Sequence, residues 1–341
     1  MIKEDSVVRY FLVKIAKVTL LSIIFPFLSI AETDNLPYYI LLDSNTGHII
    51  AENYPDNPWN PASLTKLMTA YVVFSLIEEK KTTLLNPITI SKNASEYPPA
   101  NSTFSKGSTM TLDNALKLLI VKSANDIAVA IAETLCETEK KFVQRMNNTA
   151  NKLGLSSTNF MNSHGASQYG HYTTARDMAI LSWKIKNDFP QYTKYFQIKG
   201  LDIKGKKYPN TNWAIGTFLG TDGMKTGFTC ASGFNIVTSA IQGDRSLIVV
   251  ILGALDRNTR NKVSELLLSM GFANKTNKNK INYISKPLYR QKLSNEVPDI
   301  SKKVCSKQKE IENYKIQMQE LKDKEAYFTN FEKINLITNN K

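Results

Sequence analysis

Cysteine and histidine are scarce in this sequence, with three of each among 341 residues. Cys136, Cys230 and Cys305 show no C-x-x-C spacing, which excludes a zinc finger and a disulfide-dense scaffold. An oxidising compartment permits one bond among three thiols, but the odd count reads first as buried free cysteines. His48, His164 and His171 include one close pair and no H-E-x-x-H, so neither a metal nor a cofactor is expected. No G-x-S-x-G turn surrounds any serine, which excludes a hydrolase elbow with its Ser-His-Asp triad. The chain does not lack apolar residues. They make up 42% of it, enough to bury a sizeable core, and disorder throughout is excluded.

The formal charge of +13 raises the question of nucleic acid. Its distribution answers it. Residues 1–31 hold four basic and two acidic residues, and residues 273–341 hold fifteen against eight, so only +4 is left for the stretch between. No nucleic-acid partner is expected; a basic tail on an exported protein suits anionic lipid head groups or wall polymers. Export is read from Lys3, Arg9, Lys14 and Lys17, followed by the apolar run Val18 to Ile30 and the small-residue end Ser29-Ile30-Ala31. A signal peptide over 1–31 is favoured over an uncleaved anchor, because a span needs about 20 apolar residues.

Short apolar runs at Tyr38–Leu42 and His48–Ala51 flank Asp43-Ser44-Asn45-Thr46-Gly47, the pattern of a β-hairpin. Asn60-Pro61 opens a helix from Ala62 to about Glu79 that is apolar on nearly every side, and therefore buried. Helical periodicity recurs over Thr111–Val121 and Ile127–Leu135, with a polar corner between them, and again near Lys141–Leu153 and Thr174–Lys186. Strand signals return at Met224–Thr229, Phe234–Ala240 and Ser246–Leu255, before a helix from Asn258 to Met270. The fold class is therefore mixed α/β of the α+β kind: an antiparallel sheet built from both ends of the domain, flanked by helices, with a helical lobe inserted. Residues 32–272 read as the catalytic domain and 273–341 as a basic linker and helical tail. The charged stretch Glu310–Ile337 is open to three readings: a solvated helix, a membrane-surface helix or a partner-binding helix.

Three short motifs occur in order: Ser63-Leu64-Thr65-Lys66, Ser123-Ala124-Asn125 and Lys225-Thr226-Gly227. On a helix, positions i and i+3 share a face, so the Lys66 amine reaches the Ser63 hydroxyl. A serine alcohol needs a base to become a nucleophile. A lysine with an ordinary pKa near 10.4 serves only if burial or a second cation lowers that value, and Lys225 is the candidate cation. Ser63 near a helix start also brings backbone N–H groups to where an oxyanion would form. Ser123 can pass a proton to a leaving amine, and Asn125 can hold Lys66 and a substrate backbone. Lys225 and Thr226 on a strand suit a terminal carboxylate, and Gly227 permits close approach of another backbone.

With Asn125-Asp126-Ile127-Ala128, Asn162-Ser163-His164-Gly165, His171-Tyr172-Thr173-Thr174 and Asp222-Gly223-Met224, these motifs resemble low-molecular-mass penicillin-binding D-Ala-D-Ala carboxypeptidases from about Pro37 to Phe272. The second motif departs from the usual S-D-N by carrying Ala124. The resemblance implies a β-lactamase/transpeptidase-like fold and removal of the last D-alanine from the peptidoglycan stem peptide by an enzyme of the periplasm or cell envelope. It also implies acylation by β-lactam antibiotics and an oxyanion hole made by the backbone N–H of Ser63 and Phe228. Many members carry an arginine shortly before the third motif to bind the substrate carboxylate, and none lies between Tyr208 and Lys225. Many also have a further β-rich domain, which the last 69 residues do not resemble.

Three rival functions share or imitate this site. A class A β-lactamase uses a glutamate after the second motif to activate the deacylating water, and no glutamate lies between Glu139 and Glu265. A peptidoglycan endopeptidase would use the same residues. A non-catalytic wall-binding protein would not need Ser63, Lys66, Ser123, Asn125 and Lys225 all intact.

Overall fold

The computed structural model describes residues 36–97, 102–273, 297–305 and 331–337. The leader and most of the expected charged helix lie outside them. Strands β1 (Tyr38–Asp43) and β2 (His48–Asn53) form the expected hairpin, and a 3₁₀ turn over Ala62–Leu64 leads into α1 (Thr65–Glu78). The short strands β3 (Pro87–Thr89) and β4 (Thr109–Thr111) pair with each other. Helix α2 (Leu112–Lys117) runs into a π turn at Leu118–Lys122 that delivers Ser123 in the left-handed conformation, φ 62° and ψ 33°. Then come α3 (Asn125–Cys136), α4 (Glu139–Lys152), α5 (Ala175–Asp188), β5 (Gly200–Ile203), β6 (Lys206–Pro209), β7 (Thr221–Thr229), β8 (Gly233–Gln242), β9 (Arg245–Ala254), α6 (Arg257–Ala273) and β10 (Glu332–Lys333).

Five strands form one antiparallel sheet in the order β2-β1-β9-β8-β7. The central strand β9 is buried on both faces. That is why Leu247 to Leu252 reads as an unbroken apolar run rather than an alternation. One core lies between the sheet and helices α1 to α5, and a second lies under α6. Gly271 lets α6 settle on the sheet, since a Cβ there would sit 2.6 Å from Leu247 Cδ1. Helix α1 is buried along most of its length, in keeping with its apolar circumference.

The structure corrects two expectations. Cys230 and Cys305 are joined by a disulfide, and only Cys136 is free. Ile300 N–H donates to Ala231 O at 3.2 Å and Val304 is buried, so residues 297–305 pack back onto the β7–β8 end and bring the two sulfurs together. Residues 331–337, expected to end a helix, instead contribute β10, which runs parallel to β5. Ile334 is buried, its N–H donates to Asp202 O at 3.0 Å, and Glu332 pairs with Lys117 at 2.8 Å. Strand pairing and burial of one isoleucine outweigh the helical pattern there. Among the described residues no helix is long and apolar enough to cross a membrane.

Candidate active site

Four segments meet at the site, one of them β7, the terminal strand of the sheet. The first is the turn that opens α1. Asn60 is expected to cap a helix opening at Pro61; instead Asn60 Oδ1 accepts from Ala62 N at 2.9 Å in a local turn, Pro61 takes the cap position of a 3₁₀ turn over Ala62–Leu64, and the α-helix proper begins at Thr65. Asn235 on β8 donates to Asn60 O at 2.9 Å and Pro61 O at 3.2 Å, while its Oδ1 accepts from Gly253 N at 2.9 Å. Two central strands thereby fix the backbone just ahead of Ser63. His171 anchors the next step. Met161 N–H donates to its Nδ1 at 3.4 Å, which places the ring proton on Nε2, 2.9 Å from Thr65 Oγ1. Burial, helped by the charge of His164, pushes the His171 pKa down to about 3, so it is a neutral strut beneath the turn.

Lys66 Nζ donates to Ser63 Oγ at 3.0 Å, to Asn125 Oδ1 at 2.7 Å and to the His164 carbonyl at 2.5 Å. Its side chain is buried. Burial holds its pKa well below the ordinary lysine value, Lys225 lowers it further, and Asp126 opposes them. An ammonium has three N–H bonds for these three acceptors. A neutral amine has two and a lone pair. Two of the acceptors, Asn125 Oδ1 and His164 O, carry no proton of their own and so take the two N–H bonds. In the neutral form the lone pair is then left for the Ser63 hydroxyl in place of the donated bond, which is the arrangement a base requires.

The second segment is the corner between α2 and α3, where the π turn sets Ser123 beside Asn125, the first residue of α3. Buried Asp126 locks that corner by accepting from Ser102 N at 2.8 Å and Ser102 Oγ at 2.6 Å. The third is β7. Lys225 is buried, with its pKa lowered to about 7 by burial and by the charge of Arg260. Thr226 Oγ1 lies 2.9 Å from Thr211 Oγ1. Gly227 faces the Ser63 turn: a Cβ at that position would stand 2.8 Å from Pro61 O and 3.1 Å from Ser63 N. The fourth segment is the loop of residues 162–170, which supplies the His164 carbonyl; its Gly165, at φ +95°, lies against the Ala62 carbonyl.

Sequence reasoning missed two contributors. Arg260 on α6 is almost fully buried and close enough to Lys225 to lower its pKa. It sits on the same stripe as Ser264, Leu267, Leu268 and Gly271, and a charge on the apolar face of a helix is the signal that marks it. The His164 carbonyl is a backbone group, which no residue pattern reveals.

Comparison with known proteins identifies the family. The family model described as D-alanyl-D-alanine carboxypeptidase matches residues 33–256. The chain is 37% identical over 243 residues to D-alanyl-D-alanine carboxypeptidase DacC of Escherichia coli, covering 69% of this chain and 60% of that protein. It is 35% identical to DacA of Haemophilus influenzae, covering 69% and 61%. The chain thus spans about 60% of the length of the curated relatives it matches. Among solved structures it resembles DacD of Francisella tularensis, with a TM-score of 0.69 at 29% identity over 71% of each chain. It also resembles penicillin binding protein 5 of Haemophilus influenzae, with a TM-score of 0.68 at 34% identity over 70% of this chain and 71% of that one. The family match covers about two thirds of the sequence, the fold is shared with these solved structures, and the chain belongs to the D-alanyl-D-alanine carboxypeptidase family.

Proposed function

We propose that this chain is an exported serine D-alanyl-D-alanine carboxypeptidase that removes the terminal D-alanine from peptidoglycan stem pentapeptides through an acyl-enzyme on Ser63. The observation that carries this reading is the buried Lys66 amine, 3.0 Å from Ser63 Oγ and beside a second buried lysine that lowers its proton affinity.

In this reading Lys66 takes the Ser63 proton as Oγ attacks the carbonyl carbon of the penultimate D-alanine. The oxyanion is received by the N–H groups of Ser63 and Phe228, a pairing supported by the close approach of Gly227 to the Ser63 turn. Ser123 carries the proton on to the leaving nitrogen, D-alanine departs, and water then hydrolyses the ester. Asn125 holds Lys66 and the substrate backbone. The substrate lies along the free edge of β7. Lys225 and Thr226 meet its terminal carboxylate, and Arg260 supplies the cationic support that no residue between Tyr208 and Lys225 provides. At a pKa of about 7, Lys225 is only part-charged near neutrality, so the arriving carboxylate favours its protonated form.

Penicillins acylate Ser63 through their strained amide in the same way. Residues 1–31 act as the signal peptide and 32–272 as the catalytic domain, to which Cys305 and β10 anchor the basic segment 273–341; that segment contacts anionic membrane or wall surfaces in the periplasm or cell envelope.

The test is labelling with a fluorescent penicillin, combined with mass spectrometry of a pentapeptide substrate. Wild type takes up label and removes one D-alanine, whereas Ser63→Ala does neither. Rapid nitrocefin turnover would move the assignment to a β-lactamase, and cleavage of cross-linked dimers alone would move it to an endopeptidase. A folded protein that takes no label would be a wall-binding protein.

A further inference from the structure

Glu139 lies outside all three motifs, yet one of its carboxylate oxygens organises the segment that holds Lys66. Glu139 Oε1 accepts from Ser163 N at 2.8 Å, from Ser163 Oγ at 2.6 Å and from His164 Nδ1 at 3.3 Å. The same two residues are held from the other side by α1, where Thr69 Oγ1 donates to Ser163 O at 2.6 Å. The next carbonyl along, that of His164, accepts from Lys66. Glu139 is in the first turn of α4, whose start is fixed by Thr138 Oγ1 accepting from Lys141 N at 3.2 Å.

The segment is buried but borders open space on one side. A cavity of about 480 Å³ borders it, lined among others by Tyr97, Glu139, Val143, Phe160, His164 and Gln168. His164 Nε2 is buried with no hydrogen-bond partner among the described residues, so the contact of Nδ1 with Glu139 is the polar tether that the structure gives the ring. Burial disfavours a charge on Glu139, but hydrogen bonds from His164 and Ser163 more than offset it and hold the carboxyl below its usual pKa. The acceptor is therefore a full carboxylate.

We propose that Glu139 is a positioning residue for acyl transfer, its carboxylate fixing Ser163 and His164 so that the His164 carbonyl turns the lone pair of Lys66 toward Ser63. The proposal rests on the reading of Ser63 and Lys66 as nucleophile and base. Without the carboxylate, the carbonyl that directs one N–H of Lys66 can shift into the adjoining cavity, and the amine loses its orientation while keeping its place in the helix.

The experiment compares Glu139→Ala, Glu139→Asp and Glu139→Gln in the full chain. It measures the acylation rate constant and the apparent dissociation constant for a fluorescent penicillin, the fraction of titratable sites, and thermal stability. In Glu139→Ala the acylation rate per titratable site falls about tenfold to a hundredfold, the loss expected of a misplacement near 1 Å, with the dissociation constant little changed. Glu139→Gln retains most of the rate, because its amide oxygen still accepts from Ser163. Glu139→Asp, which withdraws the acceptor by one methylene, shows a smaller loss in the same direction and serves if the alanine variant does not fold.

Two results overturn the proposal. In one, Glu139→Ala has fewer active molecules that each acylate at the wild-type rate, so that Glu139 only supports folding. In the other, Glu139→Gln acylates normally but stays acylated, so that the carboxylate acts on the deacylating water. If wild type is not acylated on Ser63, the site reading itself fails, a result distinct from both.

Discussion

Removing the Cys230–Cys305 bond offers a quantitative test of the corrected fold. The two cysteines are 75 residues apart in sequence. Closing a loop of that size withdraws about 15 cal/mol/K from the unfolded chain, or about 4.5 kcal/mol at 25 °C. In a domain of this size each kcal/mol moves Tm by about 2–4 °C. The double variant Cys230→Ser, Cys305→Ser should therefore melt about 9–18 °C below wild type. Calorimetry of wild type, the double variant, and each in excess dithiothreitol is the assay. Reductant should lower wild type to the level of the variant and leave the variant unmoved, and only Cys136 should react with a thiol reagent in unreduced, denatured wild type. Three reactive thiols, or a melting point that ignores reductant, would refute the pairing. Residues 297–305 would then have to be held on the β7–β8 end by Ile300 and Val304 alone.

Gly227→Ala should leave a folded protein that acylates poorly. Its Cβ meets backbone atoms on the Ser63 turn at 2.8–3.2 Å, an overpacking worth about 1–3 kcal/mol that calorimetry can separate from a much larger loss in penicillin labelling. Stability should also depend on pH through Lys225. Its folded pKa is about 7 and its unfolded value about 10.4, so between them the unfolded chain binds the extra proton and unfolding free energy rises with pH by about 1.4 kcal/mol per unit. The penalty is complete below pH 7 and relieved as pH approaches 10. Urea titrations at pH 7 and 9 should show this rise in wild type and a shallower one in Lys225→Met; an unchanged slope would place the charge elsewhere.

What could be read from the sequence was local or periodic. Ser63 and Lys66 are one helical turn apart, so their contact follows from helix geometry. The burial of α1 follows from its lack of a polar face, and β7 to β9 announce themselves by apolar runs between turn residues. What escaped depends on distant segments meeting. The pairing of Cys230 with Cys305 follows from how residues 297–305 pack, Arg260 reaches Lys225 from a helix 35 residues later in the chain, and β10 forms because β5 offers an edge to pair with. The π turn before Ser123 escaped for another reason: Leu118 to Val121 fit an ordinary helix equally well, and only the left-handed exit at Ser123 distinguishes the two.

The nine residues of β7 leave one side of the sheet open, and an open rim of main-chain donors and acceptors will accept any extended chain, including a second copy of itself. A buried lysine in the middle of that strand, part-charged near neutrality, makes such stacking costly. Lys225 would then guard the molecule against aggregation as well as meet its substrate, and alkaline solutions that discharge it would weaken that guard.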